Sequence, residues 1–122
     1  MKITEAPVRF DVAALRRGVE ERDADCLLAL YADDAEVQVV DQAHPPSSPR
    51  ILRGHNEIGA YLDDICGRDM THRIEHLVTD GNMASFLESC RYPGGGRVLC
   101  SATLDLAGGR IVREIAVQAW DE

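Results

Sequence analysis

Glu88 lies in the middle of Met83 to Tyr92, a run in which Ala84, Phe86, Cys90 and Tyr92 occupy alternate positions. In a strand those residues share one face with Glu88. A carboxyl held among apolar neighbours either pairs with a cation or keeps its proton, and the second condition makes a general acid. The opposite register would bury Ser85, Leu87 and Ser89 and leave Glu88 in water, a less apolar choice. His72 and His76 lie upstream, in a segment that also reads as a strand, so they stand about 13 Å apart and cannot share one metal ion directly. A three-residue loop at Asp80-Gly81-Asn82 would pair Thr79 with Met83. It would set His72 opposite Cys90, Ile74 opposite Glu88 and His76 opposite Phe86. The diagonal from His72 to Glu88 is then within reach of a hydrogen bond, and a His–carboxylate pair can move protons. A two-residue turn would reverse the parity and separate the two, and a satisfied sheet histidine is the plain alternative. Asp41 shares a strand face with Val39. It is read either as a general base at the edge of an interior or as a solvated residue opening the next loop.

These groups need elements to hold them. Val12, Leu15 and Val19 recur at helical spacing. Asp23 suits the N-cap of a second helix, striped by Leu27, Leu30 and Tyr31. Ala35 to Asp41 has the β-branched content of a strand. His44-Pro45-Pro46-Ser47-Ser48-Pro49 breaks regular structure, because proline lacks the amide donor and restricts its neighbour. After the short extended piece Arg50 to Arg53, Ile58, Tyr61, Leu62 and Ile65 mark a third helix that ends near Gly67. Four strands follow, turning at Asp80-Gly81-Asn82, Pro93-Gly94-Gly95-Gly96 and Ala107-Gly108-Gly109. Helices first and sequential strands after predict an α+β domain, 1–122, with no internal repeat or linker.

Composition narrows the classes. The 122 residues carry a net charge of −8, and the 13 Lys and Arg are scattered. A nucleic-acid partner needs a basic face to displace counterions, so none is expected. No apolar run approaches the roughly 20 residues that span a bilayer, and Met1 to Arg9 lacks the apolar centre of a leader, so no membrane partner is expected. Cys26, Cys66, Cys90 and Cys100 show no zinc-type spacing and read as free thiols in a reducing cytoplasm. Phosphate-binding loops and nucleophile elbows are missing, and Gly94-Gly95-Gly96 opens no helix. Neither cofactor nor metal is expected.

The order helix, helix, strand, proline-rich loop, helix and four-stranded meander resembles the nuclear transport factor 2-like superfamily, in its SnoaL-like branch. So do the phrases Leu30-Tyr31-Ala32-Asp33-Asp34-Ala35 and Gly109-Arg110-Ile111-Val112. The resemblance implies three N-terminal helices packed on a strongly curved, mostly antiparallel sheet, forming a cone with one apolar pocket. It implies a homodimer through the convex sheet face. By this resemblance and the strand faces above, Leu15, Tyr31, Val39, Tyr61, Phe86, Cys90, Ala102, Gln118 and Trp120 line the pocket, with Asp41, His72 and Glu88 as its catalytic candidates. Ketosteroid isomerases of this superfamily use an aspartate base, a tyrosine and a protonated aspartic acid. Those places fall here on Val39, Leu15 and near Ala102, so that design is absent. Asp41 lies roughly 6.6 Å beyond the vacant base position.

Two functions remain open from the sequence. One is a cofactor-free isomerase, cyclase or dehydratase acting on a small apolar ring compound through His72 with Glu88 or Asp41. The other is a non-catalytic ligand-binding or dimerisation module, whose pocket polar groups would all be bonded to protein. Fold alone cannot choose between them.

Overall fold

A computed structural model describes residues 9–121, so the leader reading on Met1 to Arg9 lies outside the described residues but for Arg9. Three helices, α1 (Val12–Glu20), α2 (Ala24–Leu28) and α3 (Gly54–Gly67), accompany six strands. The strands are β1 (Tyr31–Val40), β2 (Arg50–Arg53), β3 (Thr71–Thr79), β4 (Met83–Arg91), β5 (Arg97–Ala107) and β6 (Arg110–Trp120). They form one sheet in the order β2-β1-β6-β5-β4-β3, which curves and does not close. Among the described residues only the β1–β6 pairing is parallel. No helix of the described residues is long and apolar enough to cross a membrane.

The expected caps and turns are largely present. Asp23 accepts from the Cys26 amide at 3.0 Å, one of the donors a helix start leaves unpaired. Replacing it, Asp23→Ala, is expected to cost about 1 kcal/mol in a urea titration, as cap removal commonly does. Ala107 pairs with Arg110 across Gly108 and Gly109, whose φ angles of 59° and 76° give the mirror-image turn that matches strand twist.

The second helix departs from the expected pattern. It stops at Leu28, and Tyr31 is a strand residue, not part of a helical stripe. Backbone pairing decides this: the Ile111 amide donates to the Leu30 carbonyl at 2.8 Å, and Tyr31 pairs with Ile111 on β6. Joining the sheet satisfies backbone groups that another helical turn would have exposed.

Register between β3 and β4 sets the site. His72 stands opposite Cys90 and Ile74 opposite Glu88, as the three-residue loop predicts. The turn itself differs, because Thr79 pairs with Ala84 and not with Met83. A bulge between Glu75 and Val78 restores the missing residue. His76 lies within it at φ 53°, exposed and not opposite Phe86. One slip and one bulge cancel, so parity at His72 is preserved. β3 is an edge strand, and α1 covers part of that edge. Glu20 accepts from the Ile74 amide at 3.1 Å and Arg16 donates to the Ile74 carbonyl at 3.1 Å. Backbone groups two residues from His72 are thereby satisfied without another strand.

Alternation is clean on β5, where Val98, Cys100, Ala102, Leu104 and Leu106 are buried between more exposed neighbours. The inner sheet face meets Leu15, Val19 and Leu27 of the first two helices and Ile58 and Leu62 of α3. At the other end Met70, Cys90 and Val98 form a smaller cluster against Tyr92 and Trp120. A cavity remains between the helices and the sheet.

Candidate functional site

The cavity holds about 160 Å³ and is lined by all of Leu15, Tyr31, Val39, Tyr61, Phe86, Cys90, Ala102, Gln118 and Trp120. Asp41, His72 and Glu88 line it as well. Most of its wall is aliphatic or aromatic, so a polar group that faces it is poorly hydrated.

His72 is buried, and its Nδ1 lies 2.8 Å from Glu88 Oε2 and 3.2 Å from Cys90 Sγ. The Cys90 thiol donates to the same Glu88 oxygen at 3.2 Å. A carboxylate flanked by two donors assigns the ring proton to Nδ1. Nε2 is then a bare lone pair, and it is buried without a hydrogen-bond partner among the described residues. An orphaned buried nitrogen carries a free-energy cost unless something else meets it. Held this way, it is shaped as a base whose orientation is fixed by Glu88 from the other side of the ring.

Glu114 is the residue that the sequence reading missed. It lines the cavity from β6 and accepts a hydrogen bond from the Tyr31 hydroxyl. Burial pushes its carboxyl up to about 7, the Tyr31 bond pulls it down, and the nearby Glu88 raises it again. At neutral pH a substantial fraction of Glu114 therefore keeps its proton. Burial and then the Glu114 charge hold the Tyr31 hydroxyl well above its ordinary range, so that phenol stays protonated. The signal for Glu114 was present. Gln118 and Trp120 were read as sharing a face, and two more pleats back along β6 the same alternation reaches Ala116 and Glu114.

The remaining polar groups are mostly committed. Trp120 Nε1 donates to Gln118 Oε1 at 3.1 Å, and Gln118 Nε2 donates to the Tyr61 hydroxyl oxygen at 3.2 Å. That bond occupies a Tyr61 lone pair, and its own O–H has no acceptor among the described residues. Arg50, also unforeseen, lies with its guanidinium 5.2 Å from the Tyr61 ring centre. Asp41 Oδ1 receives the Ala43 and His44 amides and His44 Nδ1, each at 2.9 Å. Burial pushes the Asp41 carboxyl up, but the His44 ring and these amides outweigh it and hold it low. Asp41 thus anchors the start of the proline-rich loop, and that oxygen is taken.

Nδ1, Oε2 and Sγ of His72, Glu88 and Cys90 are the atoms best placed for a metal ion, all within 4.8 Å of one another. Donors bonded to zinc at about 2.0–2.3 Å stand roughly 3.3–3.7 Å apart. The observed 2.8 and 3.2 Å are hydrogen-bond spacings. Burial and the Glu88 charge also push the Cys90 thiol up, away from the thiolate a metal needs. The cluster fits protons better than it fits a cation. The four cysteines are free, and burial followed by Glu88 raises the Cys100 thiol too.

Comparison with known proteins fixes the family. No curated protein matches the chain by sequence. An NTF2-like protein of unknown function from Mesorhizobium loti is 16% identical, with TM-score 0.75, over 88% of each chain. The epoxide hydrolase/cyclase-like enzyme SalBIII, described in pyran ring formation in the polyether salinomycin, is 19% identical with TM-score 0.68, over 88% of this chain and 87% of its own. A de novo designed protein with a curved β-sheet gives TM-score 0.70 at 11% identity, over 88% of this chain and 83% of its own. Such likenesses carry the fold, and the designed one shows how little chemistry the fold implies. The sequence profile of the SnoaL-like domain matches residues 12–114, and the chain belongs to that family.

Proposed function

We propose that this protein binds a small apolar ring compound bearing a carbonyl and moves protons on it without a cofactor, as an isomerase or cyclase does. The observation that carries the reading is His72 Nε2, a buried acceptor with no protein partner among the described residues, on a ring that lines the cavity and is backed by Glu88. In the step, Nε2 takes a proton from the carbon beside the carbonyl, and that C–H pair becomes a C=C bond. The carbonyl π pair takes the proton of Glu114, giving an enol, with the Tyr61 O–H placed to support the same oxygen. Where the ketone carries a β,γ C=C bond, the dienol so formed takes the His72 proton at its γ carbon and the double bond moves into conjugation. The O–H proton returns to Glu114, which completes an isomerisation. Atoms and electrons balance with no outside reductant. The related SalBIII, named for cyclisation, agrees with this class. A non-catalytic module would have every polar side chain of the lining bonded to protein, and the unpartnered Nε2 of His72, a lining residue, speaks against it.

The test needs no natural substrate. Cyclic ketones in D₂O are expected to take up deuterium beside the carbonyl faster with the protein than without it, read by NMR. Uptake equal to the buffer rate for every ketone that binds would remove the catalytic reading.

The reading includes a homodimer. Leu99, Ile115 and Val117 are exposed on the outer face of β5 and β6, at 47%, 38% and 48%, and clustered apolar surface favours a partner. Val117→Glu is expected to shift a dimer to monomer in sedimentation, and an unchanged dimer would place the interface elsewhere. A reducing, cytoplasmic setting is also part of the proposal, supported by the free thiols.

A further inference from the structure

We infer that the ligand of this cavity is monocyclic, a single six-membered ring ketone rather than a fused polycycle. This rests on the proton-transfer reading only for the carbonyl; the ring count comes from the space. The cavity of about 160 Å³ is close in volume to an engineered apolar cavity of roughly 150 Å³ that takes up benzene. The cavity is partly open to solvent and has the exposed Arg50 in its lining, so a second fused ring would have to displace wall atoms or stand in that opening, and the wall is stiff. Val39, Ala102 and Leu104 are each about 1% exposed, and Phe86 and Ala116 are buried beside them. Close-packed strand residues of this kind do not yield cheaply.

The polar groups fit the same ligand. Among the polar groups of the lining residues that make no hydrogen bond within the described residues are His72 Nε2, the Tyr61 O–H and the second Glu114 oxygen. The second oxygens of Glu88 and Asp41 and the Arg50 guanidinium make none there either. Nε2 accepts, Tyr61 donates, and Glu114 donates when it carries its proton. One carbonyl oxygen with two donors upon it and one acidic C–H toward the base would satisfy the first three. A ligand with several ring oxygens would leave some of them facing aliphatic wall, at a cost.

A ladder of saturated ketones tests this: cyclohexanone, a decalone and a tetracyclic steroid ketone, each titrated to millimolar concentration or its solubility limit. Protein-observed NMR and thermal shift read the binding. Ordinary hydrophobic transfer favours the larger compounds, since each ring adds buried apolar area. A cavity that seats one ring against a stiff wall reverses that order. Cyclohexanone is expected to bind at least tenfold more tightly than decalone, and the steroid to give no shift. Phe86→Ala is expected to narrow the gap between one and two rings by tenfold or more. If that variant does not fold, the wild-type ladder decides alone. Affinity that climbs with ring number, or silence from cyclohexanone, overturns the inference. The two proposals fail separately. Cyclohexanone that binds without deuterium uptake removes the catalytic reading and keeps the ring count, whereas a steroid ketone that binds and exchanges does the reverse.

Discussion

His72→Asn is expected to lower enzyme-dependent deuterium uptake into a bound ketone by about 10²–10⁴-fold, the usual contribution of a positioned general base. Asparagine is chosen because its side-chain amide nitrogen lies close to where Nδ1 lies. It can keep the bond to Glu88, 2.8 Å long in the wild type, while removing Nε2 altogether. The fold and the ligand titration should therefore change little, and the loss should appear in the rate. Glu88→Gln makes the complementary test. It retains an acceptor for Nδ1–H and removes the charge that steadies the developing imidazolium, so a smaller fall is expected, about ten- to a hundredfold. Both variants must be checked for ligand binding. Uptake that survives in both, with the cavity still occupied, would assign His72 and Glu88 to packing alone.

How much of this was legible beforehand varies with the interaction. Local chemistry was readable: the Asp23 cap, the Gly108-Gly109 turn and the helical stripe of α3 depend on neighbours a few residues apart. The His72–Glu88 contact was expected, but for a partly mistaken reason. A three-residue loop with Thr79 opposite Met83 gave the right parity, whereas the chain pairs Thr79 with Ala84 and recovers the register through the His76 bulge. A bulge in a non-glycine residue leaves almost no local trace, because the surrounding sheet and not the residue sustains the positive φ. Tyr31 was misplaced by a long-range effect: its helical spacing is genuine, but parallel pairing to Ile111 on β6 wins. The role of Asp41 was left open between two readings, and it depends on how the loop folds back to bring His44 beneath it. Glu114 obeys the alternation rule along β6, but two apolar residues, Ile115 and Val117, stand on the opposite face and blur the pattern.

Glu114 also makes the stability of the fold depend on pH, with a sign that can be worked out. Its carboxyl titrates near 7 in the folded protein against 4.5 as its ordinary value. The folded state therefore binds the proton more tightly than the unfolded chain between those values. Stability from this group is complete below about 4.5 and is lost as pH rises through about 7. A shift of that size corresponds to about 3 kcal/mol, as an upper figure. The groups facing it do not cancel the effect. Tyr31 stays protonated, Glu88 adds repulsion once Glu114 ionises, and the Tyr61 and Cys100 protons are held by burial first and by Glu114 itself among their neighbours. Urea midpoints measured from pH 5 to pH 8.5 are expected to fall in the wild type. Glu114→Gln should flatten that slope, leaving the variant the more stable protein at pH 8 and nearly equal at pH 5. Gln can still accept from Tyr31 but cannot lose a proton, so the flattening isolates ionisation from packing. The same variant should lose the fall in deuterium uptake above pH 7, because a rate that requires the protonated acid declines as that acid ionises. Parallel slopes for wild type and variant would mean that Glu114 is hydrated and ionised at neutral pH, and proton donation to the carbonyl would then rest on Tyr61.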